Sequence, residues 1–164
     1  MSKLSKAQKE PKEQFFDELK KNHTVMLGID QDRGHMAPMT AFVDHERDDR
    51  IYFFTRDDSH IAKSAGEDAH MCVFGKHDDY HSCVHGRLQE ISDASVRDKF
   101  WNPVLSAWYP QGKDDPNMRI LEFQAREAEV WASESNSFRF GFEIAKANST
   151  GEEPDVGVRT KIQF

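Results

Sequence analysis

The chain has 164 residues, enough for one domain that buries its own core. Lys and Arg total 22 and Asp and Glu total 29, so the formal net charge is −7. An acidic surface repels phosphate backbones, which argues against nucleic acid as a general partner. Twelve Phe, three Trp and three Tyr argue against a disordered chain, because disordered segments are poor in aromatics. No apolar run approaches the ~20 residues of a membrane helix, and Met1 to Lys12 carries no apolar signal region. Two cysteines make no disulfide framework at this length. These features predict a cytoplasmic protein with reduced thiols and no membrane partner. No internal repeat, Rossmann glycine pattern, Walker loop, HExxH or GxSxG motif is present.

Residues 1–10 read as a flexible leader. Pro11 suits a first helical turn, and Phe15, Phe16 and Leu19 give the following helix an apolar face, ending near Asn22. Thr24 to Ile29 reads as a buried strand, followed by a turn cluster, Asp30 to Gly34. Met36 to Val43 reads as a second strand, with Pro38 marking an edge, an end or a bulge. His45 to Arg50 is a charged turn, and Ile51 to Thr55 a third strand. Ser59 stands where a helix cap belongs, before His60 to Ala65.

Ala69 to Phe74 and Tyr80 to Ile91 read as the fourth and fifth strands, with Gly86 predicting a bend or bulge. Asp93 caps a helix carrying Val96, Phe100 and Trp101, and Pro103 starts a shorter helical stretch ending at Trp108-Tyr109-Pro110. Ile120 to Gln124 and Ala128 to Trp131 read as a final pair of strands. Phe138 to Ile144 reads as a short amphipathic helix, and residues 148–164 as a polar arm, extended or disordered. The expected fold is mainly β, a six-stranded antiparallel barrel with flanking short helices. The core domain is expected over residues 11–147.

Several ordered segments carry a family resemblance. They are Gly34-His35-Met36-Ala37-Pro38-Met39, Ile51-Tyr52-Phe53-Phe54-Thr55 with Ser59 beyond it, and Tyr80-His81-Ser82-Cys83-Val84-His85-Gly86. Further on come Trp101-Asn102-Pro103, Trp108-Tyr109-Pro110, Lys113-Asp114-Asp115-Pro116 and Ala128-Glu129-Val130-Trp131. From about Phe15 to Trp131 the chain resembles the general stress protein 26 branch of the pyridoxamine 5′-phosphate oxidase-like flavoproteins. The resemblance implies a split β-barrel that dimerises and holds FMN at the dimer interface. Ala37 stands where that family often has Arg, and Ile61 where it often has Lys. The Arg-x-His substrate motif of true pyridoxamine 5′-phosphate oxidases is not visible after Trp131. The resemblance therefore implies the cofactor rather than that oxidase's substrate.

FMN presents a phosphate, a ribityl chain and a planar ring. Thr55, Arg56, Ser59, His60 and Lys63 supply hydroxyls and cations suited to the phosphate. Pro38, Met39, Thr40 and Phe54 are expected to wall the ring. Ser82 and Val84 share one strand face, expected to be the flavin side, and Trp108 of the partner subunit is expected to cover the ring. His81, Cys83 and His85 share the opposite face, but no carboxylate or paired-cysteine motif completes a metal site there, and no metal is expected. Cys72 and Cys83 fall inside predicted strands, where a buried thiol is ordinarily an inert small hydrophobe. No catalytic residue stands out, since a flavin carries its own electron chemistry. The leading expectation is a dimeric, FMN-dependent, stress-related oxidoreductase. A non-catalytic flavin-binding or buffering module, and the same fold with deazaflavin or haem, stay open on the sequence.

Overall fold

The computed structural model describes residues 3–31, 34–47, 49–77 and 79–164. Asp32 and Arg33 of the first turn cluster, and Asp48 of the charged turn, lie outside the described residues. Two helices open the chain, α1 (Lys3–Lys9) and α2 (Pro11–Lys21). Strands β1 (Thr24–Ile29), β2 (Ala37–Thr40), β3 (Phe42–Asp44) and β4 (Arg50–Arg56) follow, then the single turn α3 (His60–Lys63). Next come β5 (Asp68–Phe74), β6 (Tyr80–Ile91), α4 (Ala94–Phe100) and α5 (Pro103–Trp108). The long strand β7 (Met118–Ser133), α6 (Ser137–Thr150) and β8 (Gly157–Gln163) complete the chain.

All strand pairs are antiparallel, in the order β2-β1-β5-β6-β7-β4-β3, with β8 also on β7. Only Ala41 separates β2 from β3, so one stretch of chain pairs with β1 at its start and with β4 at its end. That stretch joins the two ends of the strand order, which makes the sheet a barrel. The backbone N–H of Ala41 donates to the His23 carbonyl at 2.8 Å and holds the kink. Pro38 sits in β2 opposite Met26, at the end of the strand order, where no ladder donor is required on its outer side. The sheet has eight strands rather than the six expected. Set against the segments read from the sequence, the 36–43 segment breaks at Ala41, the C-terminal arm adds β8, and the final pair is one strand.

β7 also differs from the expected pair of strands. It is continuous over 16 residues. Its interior residues are Leu121 and Phe123 in the first half, and Ala128, Val130 and Ala132 in the second. The inward positions thus change from odd to even numbers. On the facing strand, Tyr80, Ser82, Val84, Gly86 and Leu88 stay inward without a change. One residue must be extra on β7, and the register locates it. Gly86 faces Ala125 while His85 faces Glu127, leaving Arg126 unpaired with β6. This bulge mimics a strand break in the sequence pattern. It also divides the other edge of β7 between β4, at Met118 to Phe123, and β8, at Glu127 to Ser133.

Both termini are more ordered than their composition suggests. α1 buries Leu4 and Ala7, three residues apart on one helical face. Lys3 Nζ lies 2.5 Å from buried Asp79 and 3.5 Å from buried Glu18, so it neutralises two carboxylates that the fold hides from water. β8 buries Ile162, and Phe164 packs edge-on against Phe15 at 5.2 Å and Phe16 at 6.0 Å. These few apolar residues sit among charged ones and leave little periodic signal. α6 runs six residues beyond its expected end and buries none of its side chains.

Outside the barrel, Tyr52, Val96 and Ile120 form a second cluster beneath α4. Arg47 bonds Asp93, the α4 cap, at 2.8 Å, and Lys99 bonds buried Asp44 at 2.7 Å. Among the described residues no helix is long and apolar enough to cross a membrane.

A Cβ on Gly86 would meet the Gln124 carbonyl oxygen at 2.4 Å and the Phe123 ring at 2.7 Å. Gly86→Ala is expected to cost about 1–3 kcal/mol of unfolding free energy, measured by urea denaturation. A loss under about 0.5 kcal/mol would show that the bulge yields freely.

Candidate functional site

The aromatic residues of β3, β4 and α4 build the floor beside which a cleft opens. Phe42 meets Phe54 edge-on at 5.2 Å and Phe100 at 5.4 Å, and Tyr52 lies 6.0 Å from Phe100. Asn102 then turns the chain from α4 into α5. Its side-chain oxygen accepts from the N–H groups of Val104 and Leu105, and its amide donates to the Phe100 carbonyl at 3.1 Å. Pro103 follows at the first helical position, where its missing N–H costs nothing. Leu105 anchors α5 by burial, leaving Val104 and Trp108 on the open side, 67% and 69% exposed.

The result is a cleft of about 660 Å³ between β2, β4 and α5. This size falls within the ~300–1,000 Å³ of small-molecule and cofactor sites. Pro38, Met39 and Thr40 form one wall, Phe54, Thr55 and Arg56 a second, and Trp108 with Tyr109 a third. Burial pushes the Tyr109 hydroxyl up to about 12.

One end of the cleft is polar. Thr55 Oγ1 donates to Ser59 Oγ at 2.9 Å, and Ser59 Oγ accepts from the Ala62 N–H at 3.1 Å as the cap of α3. Arg56 reaches exposed Asp58 at 3.3 Å, and Arg119 lies 3.8 Å from Asp57. His60 and Lys63 are exposed on α3, just past the rim formed by Thr55 and Arg56. The cleft thus joins an apolar slot to an end carrying hydroxyls and a cation.

Seven of the twelve residues expected to hold a cofactor line this one cleft, Pro38, Met39, Thr40, Phe54, Thr55, Arg56 and Trp108, the last from the same chain rather than from a partner. Ser59, His60 and Lys63 stand next to it on α3 and its cap. Ser82 and Val84 do not. Both are buried inside the barrel, at 3% and 0% exposure, because the even-numbered face of β6 is the core face. Strand alternation pairs the residues of a face, but it does not say which face looks inward. Phe42, Asn102 and Tyr109 also line the cleft and were not expected there. The Asn-Pro cap sequence was their available signal, since it fixes where α5 begins.

The family model described as "Pyridoxamine 5'-phosphate oxidase like" matches residues 10–155. The chain belongs to this pyridoxamine 5′-phosphate oxidase-like family. It is 27% identical to general stress protein 26 of Bacillus subtilis (strain 168) over 126 residues, 73% of this chain and 87% of that protein. A Jannaschia sp. CCS1 structure described as a general stress protein 26 superposes with a TM-score of 0.79 at 30% identity. That match covers 94% of this chain and 99% of the other. The general stress FMN/FAD binding protein of Xanthomonas citri superposes with a TM-score of 0.72 at 37% identity, covering 78% of this chain and 92% of that one. The mainly antiparallel barrel with flanking short helices is the split-barrel fold of the pyridoxamine 5′-phosphate oxidase-like family.

Ser59 joins the polar end of the cleft to α3 through both of its bonds. Ser59→Ala is expected to lower stability by about 1 kcal/mol in urea denaturation. Ser59→Asn, which keeps a capping oxygen, is expected to recover most of that loss.

Proposed function

We propose that this chain binds FMN in the cleft between β2, β4 and α5, and works in the cytoplasm as a homodimeric, stress-related oxidoreductase. The observation that carries the reading is the cleft itself, an apolar slot ending in hydroxyls and a cation. A flavin mononucleotide has the matching two-part chemistry, a planar ring and a phosphate dianion. Pro38, Met39 and Phe54 offer flat apolar surface to the ring. Thr55, Ser59, Arg56 and Lys63 offer donors to the phosphate. α3 spans only four residues, so the hydroxyls and cations are assigned the anchoring rather than a helix dipole. The relative from Xanthomonas citri named as an FMN/FAD binding protein supports the same reading.

A bound flavin supplies the electron transfer. The chain's residues bind it, orient it and keep water from its ring. Tyr109 lines the slot beside Trp108. The dimer is supported by apolar surface that the single chain leaves uncovered. Trp108 projects over the cleft, and α6 exposes Phe138 at 87% and Phe142 at 62%. A second chain covering these residues would remove exposed aromatic side chains from water.

Purified protein is expected to be yellow or to take up added FMN, and to sediment as a dimer. A colourless preparation that fails to bind added FMN overturns the reading. Bleaching of the flavin by NADH or NADPH, with recovery in oxygen, assigns turnover; tight binding without bleaching assigns storage. Lys63→Glu and Arg56→Gln are each expected to raise the Kd for FMN about tenfold and to leave riboflavin within about twofold, since only FMN carries the phosphate. Equal losses for the two ligands would place these residues in the fold rather than at the phosphate.

A further inference from the structure

The outer face of β5 and β6 carries a feature that the flavin reading does not use. Met71, Val73 and Val84 point into the barrel core. Alternation therefore sets His70, Cys72 and Phe74 of β5, and His81, Cys83 and His85 of β6, on the outside. In register, Cys72 stands directly opposite Cys83, between the pairs His70 with His85 and Phe74 with His81. Both thiols are free and half-buried.

Opposed residues of an antiparallel pair hold their Cα atoms about 4.5 or 5.5 Å apart. Disulfides span Cα separations of about 4.4–6.8 Å. The Gly75 N–H donates to the Tyr80 carbonyl and the Leu88 N–H to the Glu67 carbonyl, so alternation along the register makes Cys72 and Cys83 a non-hydrogen-bonded pair, the closer kind, within reach of a bridge. A concavity of about 250 Å³ has Cys83, His85 and Trp131 in its wall, so a small oxidant can reach the pair from solvent. Neither thiol packs in the barrel core, the usual reason for a half-hidden cysteine in a strand.

We propose that Cys72 and Cys83 form a reversible dithiol–disulfide site that hydrogen peroxide oxidises by two electrons. Burial, then the neighbouring Cys72 thiol and the Asp30 carboxylate, push the Cys83 thiol up to about 11. The thiolate of one cysteine attacks one peroxide oxygen, the O–O bond breaks, and a sulfenic acid forms. The departing hydroxide takes up the proton that this cysteine released and leaves as water. The sulfur of the second cysteine then attacks the sulfenic sulfur. The S–S bond forms, the S–O bond breaks, and the hydroxyl leaves as a second water with the proton of the second thiol. Two thiols and one peroxide become one disulfide and two waters. A cross-link that closes and reopens in this way is the form a redox sensor takes.

The test uses the native full chain and does not depend on flavin. Protein treated with hydrogen peroxide is blocked with an alkylating reagent and mapped by mass spectrometry without reduction. The expected result is joint loss of both alkylatable thiols, a cross-linked pair of peptides containing Cys72 and Cys83 within one chain, and return of both thiols with dithiothreitol. In each of Cys72→Ser and Cys83→Ser, the remaining cysteine is expected to stop at the sulfenic acid, which dimedone traps. Sulfinic acid or bridges between chains in the wild type, with no Cys72–Cys83 link, overturns the site. Thiols that stay alkylatable after peroxide also overturn it.

Discussion

The architecture depends on one unpaired residue. Arg126 is extra in β7, and its insertion moves the inward positions from Leu121 and Phe123 to Ala128, Val130 and Ala132. Without it, one half of β7 would aim its apolar side chains at solvent, because a one-residue slip exchanges the two faces of a strand. Gly86 is the partner that makes the bulge possible, since the Gln124 carbonyl and Phe123 ring occupy the space a side chain would need. The bulge bends β7 at the point where its outer edge passes from β4 to β8. The Phe164 N–H donates to the Arg126 carbonyl at 3.0 Å, so the C-terminus closes over the same residue.

The cleft follows from how the barrel joins on its other side. Ala41 lets one segment serve both β1 and β4, so Pro38 to Thr40 diverges from β4 instead of pairing with it. The divergence leaves a gap between β2 and the end of β4. α5 stands over that gap because Asn102 redirects the chain after α4, and α4 is held by Arg47 to Asp93 and Lys99 to Asp44. Buried Asp44 thus connects the β3–β4 turn to the helix that sets the third wall of the cleft. Cleft shape is a property of the sheet's closure rather than of any single loop.

Much of this was legible in the residues, and the failures have physical causes. Tyr80 to Ile91 was readable to both ends, because alternation runs unbroken and Gly86 marks its irregularity. Pro11, Ser59, Asp93 and Pro103 each marked a helix start, because caps are local chemistry. β7 read as two strands because a bulge and a gap break the same periodicity. α1 and β8 were missed because each is secured by a few long-range contacts, Lys3 to Asp79 and Ile162 in the barrel, which no local pattern encodes. The cleft's walls were found through Pro38, Phe54 and Trp108. Ser82 and Val84 were misplaced because period two gives two faces and not their direction.

The same separation of local from global applies to charge. The chain carries −7 overall, yet the proposed phosphate end needs positive charge only over a few ångströms. Arg56 is not idle there; it reaches Asp58 at 3.3 Å. That pair is exposed, and exposed ion pairs are worth only about 0–1 kcal/mol. A phosphate offers nearly twice the charge of Asp58, with more acceptor oxygens, to the same guanidinium. On the flavin reading Asp58 is therefore a placeholder that an incoming phosphate displaces at little cost. Polyanions gain nothing comparable, because each further phosphate along a backbone meets the acidic remainder of the surface. An acidic protein can thus bind a single phosphate firmly and still reject a nucleic acid, provided a few cations stand beside one cleft.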